Sequence, residues 1–124
     1  MKIAEPQDAD SLRELINETI DTCYFHVYPQ EAIDYFKDYH NRLNIVKDIL
    51  EGYCLILTSR EEFIGTGTLL GSNARRVFVK PKYQKMGLGK RIMHKLEEKA
   101  MEKGVRIMDL DASLGAYPFY RTLG

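Results

Sequence analysis

The sequence predicts an α/β (α+β) fold in which helices flank a mixed central sheet. The first observation is a change of pattern along the chain, because apolar residues at helical spacing give way to short apolar strands near residue 53. The second is a strong helical stripe between two predicted strands, and such a crossover makes its two strands parallel. With 124 residues, the chain has room for one domain, which we predict over residues 1–124.

The first part of the chain is predicted to form three helices. Apolar side chains recur there at three- and four-residue steps, which is the spacing of an amphipathic helix. Pro6 and Pro29 suit first helical turns, where a missing N–H costs nothing, and Gly52 is a good residue to end a helix. The three predicted helices cover about residues 7–22, 29–39 and 42–50.

The second part is predicted to begin with a hairpin and a third strand. Turn residues separate its apolar runs, and Gly65 and Gly67 inside the second strand mark a bulge or a close approach of the backbone. Gly104 caps the strong helix that follows. The predicted elements are strands over residues 53–58, 63–70, 75–79 and 105–110, a helix over 87–103 and a last short helix over 116–123.

The formal net charge is zero, with 18 Lys+Arg against 18 Asp+Glu. A neutral chain argues against a dedicated nucleic-acid-binding protein, which usually has a strong basic excess. The zero is nevertheless the sum of two opposite blocks. Residues 1–74 carry 6 basic and 13 acidic side chains, a balance of −7, whereas residues 75–103 carry 10 basic and 3 acidic, a balance of +7. The basic block is where an anionic ligand is expected.

The cysteines and the apolar runs exclude several other classes. Cys23 and Cys54 are too few and too far apart for a disulfide scaffold or a zinc knuckle, so we interpret both as buried small residues in a reducing cytosol. The first residues turn acidic at once, which predicts no signal peptide, and no apolar run approaches the roughly 20 residues of a membrane span. We expect a cytoplasmic protein with no membrane partner, no nucleic-acid partner and no metal site.

The most informative stretch is a strand that runs through a glycine loop into a helix. From residue 77 to 91 it reads V-F-V-K-P-K-Y-Q-K-M-G-L-G-K-R. Glycines let backbone N–H groups approach a ligand closely, and a helix start adds unpaired donors and a positive dipole end. The pattern predicts a cradle for a phosphate or pyrophosphate. The cations around it are Lys80, Lys82, Lys85, Lys90 and Arg91.

Two common phosphate loops do not fit this stretch. A P-loop needs Gly where Gln84 stands and Ser or Thr where Arg91 stands, and the dinucleotide fingerprint needs Gly in place of Ile92. Plain turn chemistry is the alternative interpretation of Gly87 and Gly89.

The pattern that remains is Q-x-x-G-x-G at the start of a helix that follows a strand, and it resembles the acetyl-CoA loop of the GNAT N-acetyltransferase superfamily. The last residues, 116–124, read A-Y-P-F-Y-R-T-L-G and look like that family's A-x-x-F-Y-x-x-L-G ending. The resemblance covers roughly residues 1–124 in element order. It implies a GNAT-like sheet and an acetyl-CoA-dependent N-acetyltransferase, with acetyl-CoA as co-substrate and a small molecule or peptide that bears a primary amine as acceptor.

The resemblance also implies how the reaction is divided among residues, with the amine attacking the thioester directly in a ternary complex. The Val79 N–H would stabilise the thioester oxygen, and Tyr120 would protonate the leaving thiolate. The alternative interpretation of Tyr120 is a core aromatic beside Phe119. The implied cofactor-binding residues are Phe78, Val79, Gln84, Lys85, Met86, Gly87, Leu88, Gly89, Lys90 and Ser113.

Two positions depart from the family's pattern. Ser113 stands where the family often has an Asn that contacts the pantetheine arm, and its hydroxyl can still form a hydrogen bond. The strand before the loop has no acid where the family often places a general base. The candidates for that base are Glu62, Asp109, Asp111 and a water chain.

The acceptor site is the least specified part of the prediction. Tyr24, His26 and Tyr28 lie between the first two predicted helices, where the family builds its acceptor site, but aromatics there equally fit a role as core anchors. His40 and His94 are interpreted as surface residues. The acidic balance of the first block favours a cationic amine.

The resemblance finally implies C-terminal strands that are missing or truncated here, since the family normally continues past this ending with two more. We expect either a longer natural chain or a second subunit, and hence a homodimer, that covers the edge of the last strand. The alternative function is a non-catalytic module of the same fold that binds CoA or acyl-CoA. A phosphate- or nucleic-acid-binding domain is a third.

Overall fold

The structure is a computed structural model that describes residues 1–24, 27–105 and 107–110. Within these residues, a five-stranded sheet has the order β1-β2-β3-β4-β5. Its strands are β1 (Lys2–Ile3), β2 (Tyr53–Ser59), β3 (Glu62–Leu70), β4 (Asn73–Val79) and β5 (Asp109–Leu110). The helices are α1 (Ala9–Cys23), α2 (Gln30–Tyr39), α3 (Arg42–Glu51) and α4 (Leu88–Glu102).

The sheet confirms the predicted fold class. Its first four strands pair antiparallel, and β4 pairs parallel with β5 across the crossover through α4. The helices begin close to the predicted positions, for local reasons. α1 begins only at Ala9, because Pro6–Asp8 forms a one-turn 3₁₀ helix in which the Asp8 carboxylate accepts from the Glu5 N–H at 2.8 Å. The Asn41 side chain caps the start of α3.

The predicted strand over residues 105–110 is wrong at its start, since β5 begins only at Asp109. The reason is the way α4 ends. Gly104 has a φ of +78°, and the Val105 N–H donates to the Ala100 carbonyl at 2.9 Å. This is the Schellman arrangement, so Val105 completes the helix end instead of opening a strand. The predicted last helix, over residues 116–123, lies outside the described residues.

Each face of the sheet has its own core, because successive strand residues point to opposite faces. One core lies under α1, α2 and α3, and its buried members include Leu12, Ile16, Ile20, Ile45, Ile56 and Phe78. The other lies under α4, and its buried members include Leu55, Leu69, Val77, Ile92 and Leu96. The site described below lies where β4, shared by both cores, runs into the start of α4.

The two glycines of β3 mark a close approach, as predicted. A Cβ built on Gly67 would lie 2.4 Å from Ile92 Cγ2, and one on Gly65 would lie 3.1 Å from Ile92 Cδ1. The first distance is a steric clash with the branched Ile92 side chain. The absence of a side chain at positions 65 and 67 of β3 therefore lets α4 pack directly on the sheet.

No helix within the described ranges is long and apolar enough to cross a membrane. The two cysteines are free, and Cys54 is buried as predicted. Cys23 is only half-buried, which differs from the prediction, because it ends α1 beside the glycine loop.

Candidate functional site

The glycine loop joins β4 to α4 through a single 3₁₀ turn, Pro81–Tyr83. The backbone then passes through two residues in the left-handed region, Lys85 with a φ of +65° and Gly87 with a φ of +79°. A Cβ on Gly87 would meet no atom within 4 Å. Glycine is therefore suited to this position by backbone conformation and not by lack of room.

The first turn of α4 offers backbone donors to a ligand. The first helical hydrogen bond runs from the Arg91 N–H to the Gly87 carbonyl at 3.1 Å, and no side chain among the described residues caps the helix start. The N–H groups of Leu88, Gly89 and Lys90 consequently have no partner inside the helix. Together with the positive end of the helix dipole, these donors form a site suited to an anion.

Cations with exposed side chains surround this turn. Lys85, Lys90 and Arg91 form no ion pair with a carboxylate in the part of the chain that the structure describes. Lys90 and Arg91 also line a surface cavity of about 490 Å³ next to Gly87, together with Met93, His94, Lys95 and Glu97. Its volume is in the range of small-molecule sites.

Lys80 does not add free charge to this site, and that part of the sequence prediction is wrong. Its ammonium contacts the Glu62 carboxylate and lies 3.5 Å from Glu18. The hydrogen bond to Glu62 raises the pKa of Lys80, and the same contact lowers the pKa of Glu62 below its ordinary value. Glu62, a candidate general base, is therefore a weaker base than a free glutamate.

A second cavity, of about 200 Å³, lies between α1 and the turn before β3. Half of its lining residues are glutamates, and the lining consists of Ser11, Glu14, Leu15, Glu18, Glu61, Glu62, Phe63 and Lys80. Part of the negative balance of residues 1–74 is thus concentrated one residue away from the end of β4.

The last residue of β4, Val79, has its backbone polar groups on the edge that faces β5. The Lys80 N–H donates to the Ile64 carbonyl of β3 at 2.8 Å. Because donors alternate along an antiparallel ladder, the N–H and carbonyl of Val79 point away from β3. Pairing of β4 with β5 runs from Asn73 to Ala74 among the described residues, well before Val79.

The Gln84 side chain ties this edge to the loop and to α1. Its Nε2 donates to the Val79 carbonyl at 2.9 Å and lies 3.4 Å from the Cys23 sulfur. The sequence pattern singled out Gln84 as a loop residue, but it gave no sign of Cys23, which is 61 residues away in the chain. A signal for this contact exists only in the folded chain.

Phe78 and Tyr24 are buried, unlike the other predicted site residues that the structure describes. Phe78 is 4% exposed and its ring meets the His40 ring edge-on at 5.1 Å. Its backbone N–H and carbonyl face Thr66 of β3, because these groups alternate along the ladder, so Phe78 does not share the edge on which the Val79 N–H lies. Tyr24 is 2% exposed and packs edge-on against Tyr28 and Phe36, with ring centroids 5.7 and 5.5 Å apart. Its burial fits the core-anchor alternative and not a contact with an acceptor.

Two further predicted site residues lie nearer the surface. Tyr28 is half-buried and Met86 is exposed in the loop. The described residues do not include His26, Asp111, Ser113, Phe119 and Tyr120, so the roles predicted for them stay predictions. In the described ranges, no cluster of three or more His, Cys, Asp or Glu side chains is arranged to hold a metal ion.

Sequence reasoning missed a buried polar cluster beside β4. Arg76 Nη1 donates to Asp48 Oδ2 at 2.7 Å, and both side chains are almost fully buried. His40 was interpreted as a surface residue, which is wrong, since it is 5% exposed. Burial and the nearby Arg76 charge lower the pKa of His40 to about 3. A usable signal was present in α3, where Asp48 shares the apolar helix face with Ile45 and Ile49.

The sequence profile of the acetyltransferase (GNAT) family matches residues 13–124. No curated protein matches the sequence significantly.

Solved structures with the same fold include several acetyltransferases. A GCN5-related N-acetyltransferase from Rhodopseudomonas palustris has a TM-score of 0.89 and 22% identity, and the match covers 99% of this chain and 78% of that one. The PaiA N-acetyltransferase from Thermoplasma acidophilum, in complex with coenzyme A, has a TM-score of 0.81 and 20% identity, with 100% and 89% covered. A predicted acetyltransferase from Clostridium acetobutylicum, with acetyl-CoA, has a TM-score of 0.70 and 14% identity, with 99% and 86% covered. At these identities the likeness shows a shared fold.

Proposed function

The chain belongs to the acetyltransferase (GNAT) family, and from that premise we propose that it transfers the acetyl group of acetyl-CoA to a primary amine by direct attack in a ternary complex. The observation that carries this proposal is the uncapped start of α4, with its free N–H groups beside Lys85, Lys90 and Arg91. A pyrophosphate matches it in charge and in hydrogen-bonding capacity, because phosphate oxygens accept and helix starts donate.

The Val79 N–H is the proposed donor to the thioester oxygen. It lies on the edge of β4 that faces β5, and the Gln84 side chain holds the neighbouring Val79 carbonyl at 2.9 Å. A fixed N–H dipole stabilises charge that develops on the oxygen as the amine attacks, without any rearrangement at that moment. The thioester would then lie a short distance from the loop that holds its pyrophosphate, along the same edge.

Tyr120 is the proposed general acid, which gives its phenol proton to the CoA thiolate as the thioester carbon–sulfur bond breaks. The amine proton goes to a base that we propose among Asp109, Asp111 and a water chain. Glu62 is the weaker candidate, because Lys80 lowers its pKa. The remaining proposed contacts, from Ser113 to the pantetheine arm and from His26 and Tyr28 to the acceptor, follow from the family resemblance.

The first experiment is thermal unfolding with and without acetyl-CoA. A ligand present at about 100 times its Kd stabilises the folded protein by about 2.7 kcal/mol, so a clear rise in Tm is expected. Desulfo-CoA is a matched control, because it keeps the phosphates and should stabilise the protein as well. No shift with either ligand would reject the proposal.

The second experiment measures release of CoA thiol with a panel of amines. Cationic polyamines are expected among the best acceptors, because the acidic cavity adjoins the end of β4. Tyr120→Phe should lower kcat while leaving the Kd for acetyl-CoA nearly unchanged, and Phe119→Leu is a neighbouring control. Binding of acetyl-CoA without transfer to any acceptor would favour the non-catalytic module instead.

A further inference from the structure

β4 contains a bulge beside the buried polar cluster. The pairing of β3 with β4 shifts between Thr66 and Thr68, so that Arg76 and Val77 together lie opposite Gly67. Two residues against one is the count that defines a β-bulge. The extra residue changes the direction of every backbone group that follows it in β4.

The bulge decides which N–H is available at the end of the strand. With it, Lys80 lies opposite Ile64 and donates to the Ile64 carbonyl. Without the extra residue, each partner would move by one position and Val79 would take the place of Lys80. The Val79 N–H would then be consumed in the ladder with β3. The proposed oxyanion donor therefore depends on the bulge.

The backbone alone does not favour this bulge. Arg76 has a φ of +50°, in the left-handed region that non-glycine residues rarely adopt. Such a conformation persists only where the surrounding structure holds it. The contacts that can hold Arg76 in this conformation are those of its buried side chain.

Residues of two helices contact that side chain. Arg76 is 7% exposed and its Nη1 donates to Asp48 Oδ2, on α3, at 2.7 Å. Its guanidinium carbon lies 5.2 Å from the centre of the Tyr39 ring, at the end of α2. Removing Asp48 would leave the buried Arg76 charge without its ion-pair partner, which is strongly unfavourable, whereas removing Arg76 would leave Asp48 only the more distant Arg75, at 3.7 Å. The ion pair thus ties the bulge to the helices on one face of the sheet.

We propose that Arg76 and Asp48 are a positioning pair, which holds the bulge of β4 and so keeps the Val79 N–H on the edge of the strand that faces away from β3. Neither is a catalytic residue, because both act through the backbone. The effect on acetyl transfer rests on the proposed function, whereas the effect on strand register does not.

The register is tested directly by NMR couplings across hydrogen bonds, measured without acetyl-CoA. In the wild-type protein the Ile64 carbonyl carbon should couple to the Lys80 nitrogen. Asp48→Asn and Arg76→Met should abolish this coupling, and a coupling from Ile64 to the Val79 nitrogen should replace it wherever the strand closes up without the bulge. Asp8→Asn is the matched control, since Asp8 is also a buried aspartate but pairs with Lys2 of β1, at 3.2 Å, and not with a residue of β4.

Kinetics provide the second readout. Loss of one oxyanion-hole donor lowers turnover by about 100-fold or more, so kcat should fall on that scale in the variants of the pair. The Kd for acetyl-CoA should change less than about threefold, because the loop donors follow the strand and do not contact Arg76. Asp8→Asn should keep both values.

Each outcome decides the proposal. Variants that keep the Lys80 coupling overturn it, whatever their kcat, and so do variants that lose the coupling but keep kcat. If Arg76→Met fails to fold, the milder Asp48→Asn, which keeps an acceptor oxygen, still decides. A wild-type protein that transfers no acetyl group would reject the proposed function, and the couplings alone would then decide whether the pair holds the bulge.

Discussion

The loop at the start of α4 and the buried cluster beside β4 use charge in opposite ways. In the loop, Lys85, Lys90 and Arg91 are exposed and form no ion pair with a carboxylate in the described part of the chain, and the backbone donors of the first turn have no partner inside the helix. In the cluster, the Arg76 charge is matched inside the protein by Asp48, 2.7 Å away. The difference separates two tasks, because unpaired donors bind a ligand whereas paired ones fix a geometry.

The largest expected effect is a loss of stability on acidification, which acts through His40 in the buried cluster. His40 has its pKa lowered from an ordinary 6.5 to about 3, so below pH 6.5 the unfolded chain binds a proton that the folded chain does not. The free energy of unfolding should therefore fall with decreasing pH between 6.5 and 3, by about 1.4 kcal/mol per unit. Urea unfolding at a series of pH values measures the slope.

A matched pair of histidine variants assigns that slope. His40→Leu removes the buried imidazole, and its stability should depend less on pH in this window. His94→Gln removes an imidazole that is 71% exposed on α4, and it should keep the wild-type slope. Equal slopes in both variants would show that carboxylates alone account for the acid sensitivity.

The second prediction tests the loop through its backbone. Gly87→Ala places a Cβ on a residue with a φ of +79°, which should disturb the donors of the first turn and raise the Kd for acetyl-CoA about tenfold. Gly104→Ala carries the same strain, with a φ of +78° and open space around it, at the other end of α4. Unfolding measurements should show similar losses of stability in both variants, of about 1 kcal/mol. Titration with acetyl-CoA should show a binding defect in Gly87→Ala only.

The smallest expected effect concerns single charges around the loop. Lys90→Ala should raise the Kd for acetyl-CoA about two- to fivefold at low salt, and the difference should shrink near 1 M salt, where exposed charges are screened. Lys99→Ala is the control, because Lys99 already pairs with Glu102 at 3.5 Å, further along the same helix. A salt-independent defect would show that Lys90 acts through packing and not through charge.

The fold and the loop could be predicted from the sequence because their signals are local. The helical spacing of Leu12, Ile16 and Ile20 and the glycines of the loop each act within a few neighbouring residues. The start of β5 was predicted wrongly, because Val105 takes part in the helix end at Gly104 and not in a strand.

The cluster could not be predicted, because its partners meet only in the folded chain. Arg76 and Asp48 are 28 residues apart, and an arginine in a strand predicts neither a bulge nor a buried partner. His40 follows a helix end, where polar residues are usually exposed. Its ring packs edge-on against the Phe78 ring, 5.1 Å away, and the Arg76 charge is near enough to lower its pKa.

The glycine of β3 under α4 has a consequence for the height of the ligand site. Gly67 touches Ile92, which lies just over one turn after the start of α4, so the sheet sets how far the donor-bearing turn stands above it. A side chain at position 67 would push α4 away from the sheet and so displace its first turn. Gly67, which is not among the residues predicted to bind the ligand, thus helps to set the distance between the first turn of α4, proposed to hold the phosphates, and the edge of β4, proposed to face the thioester.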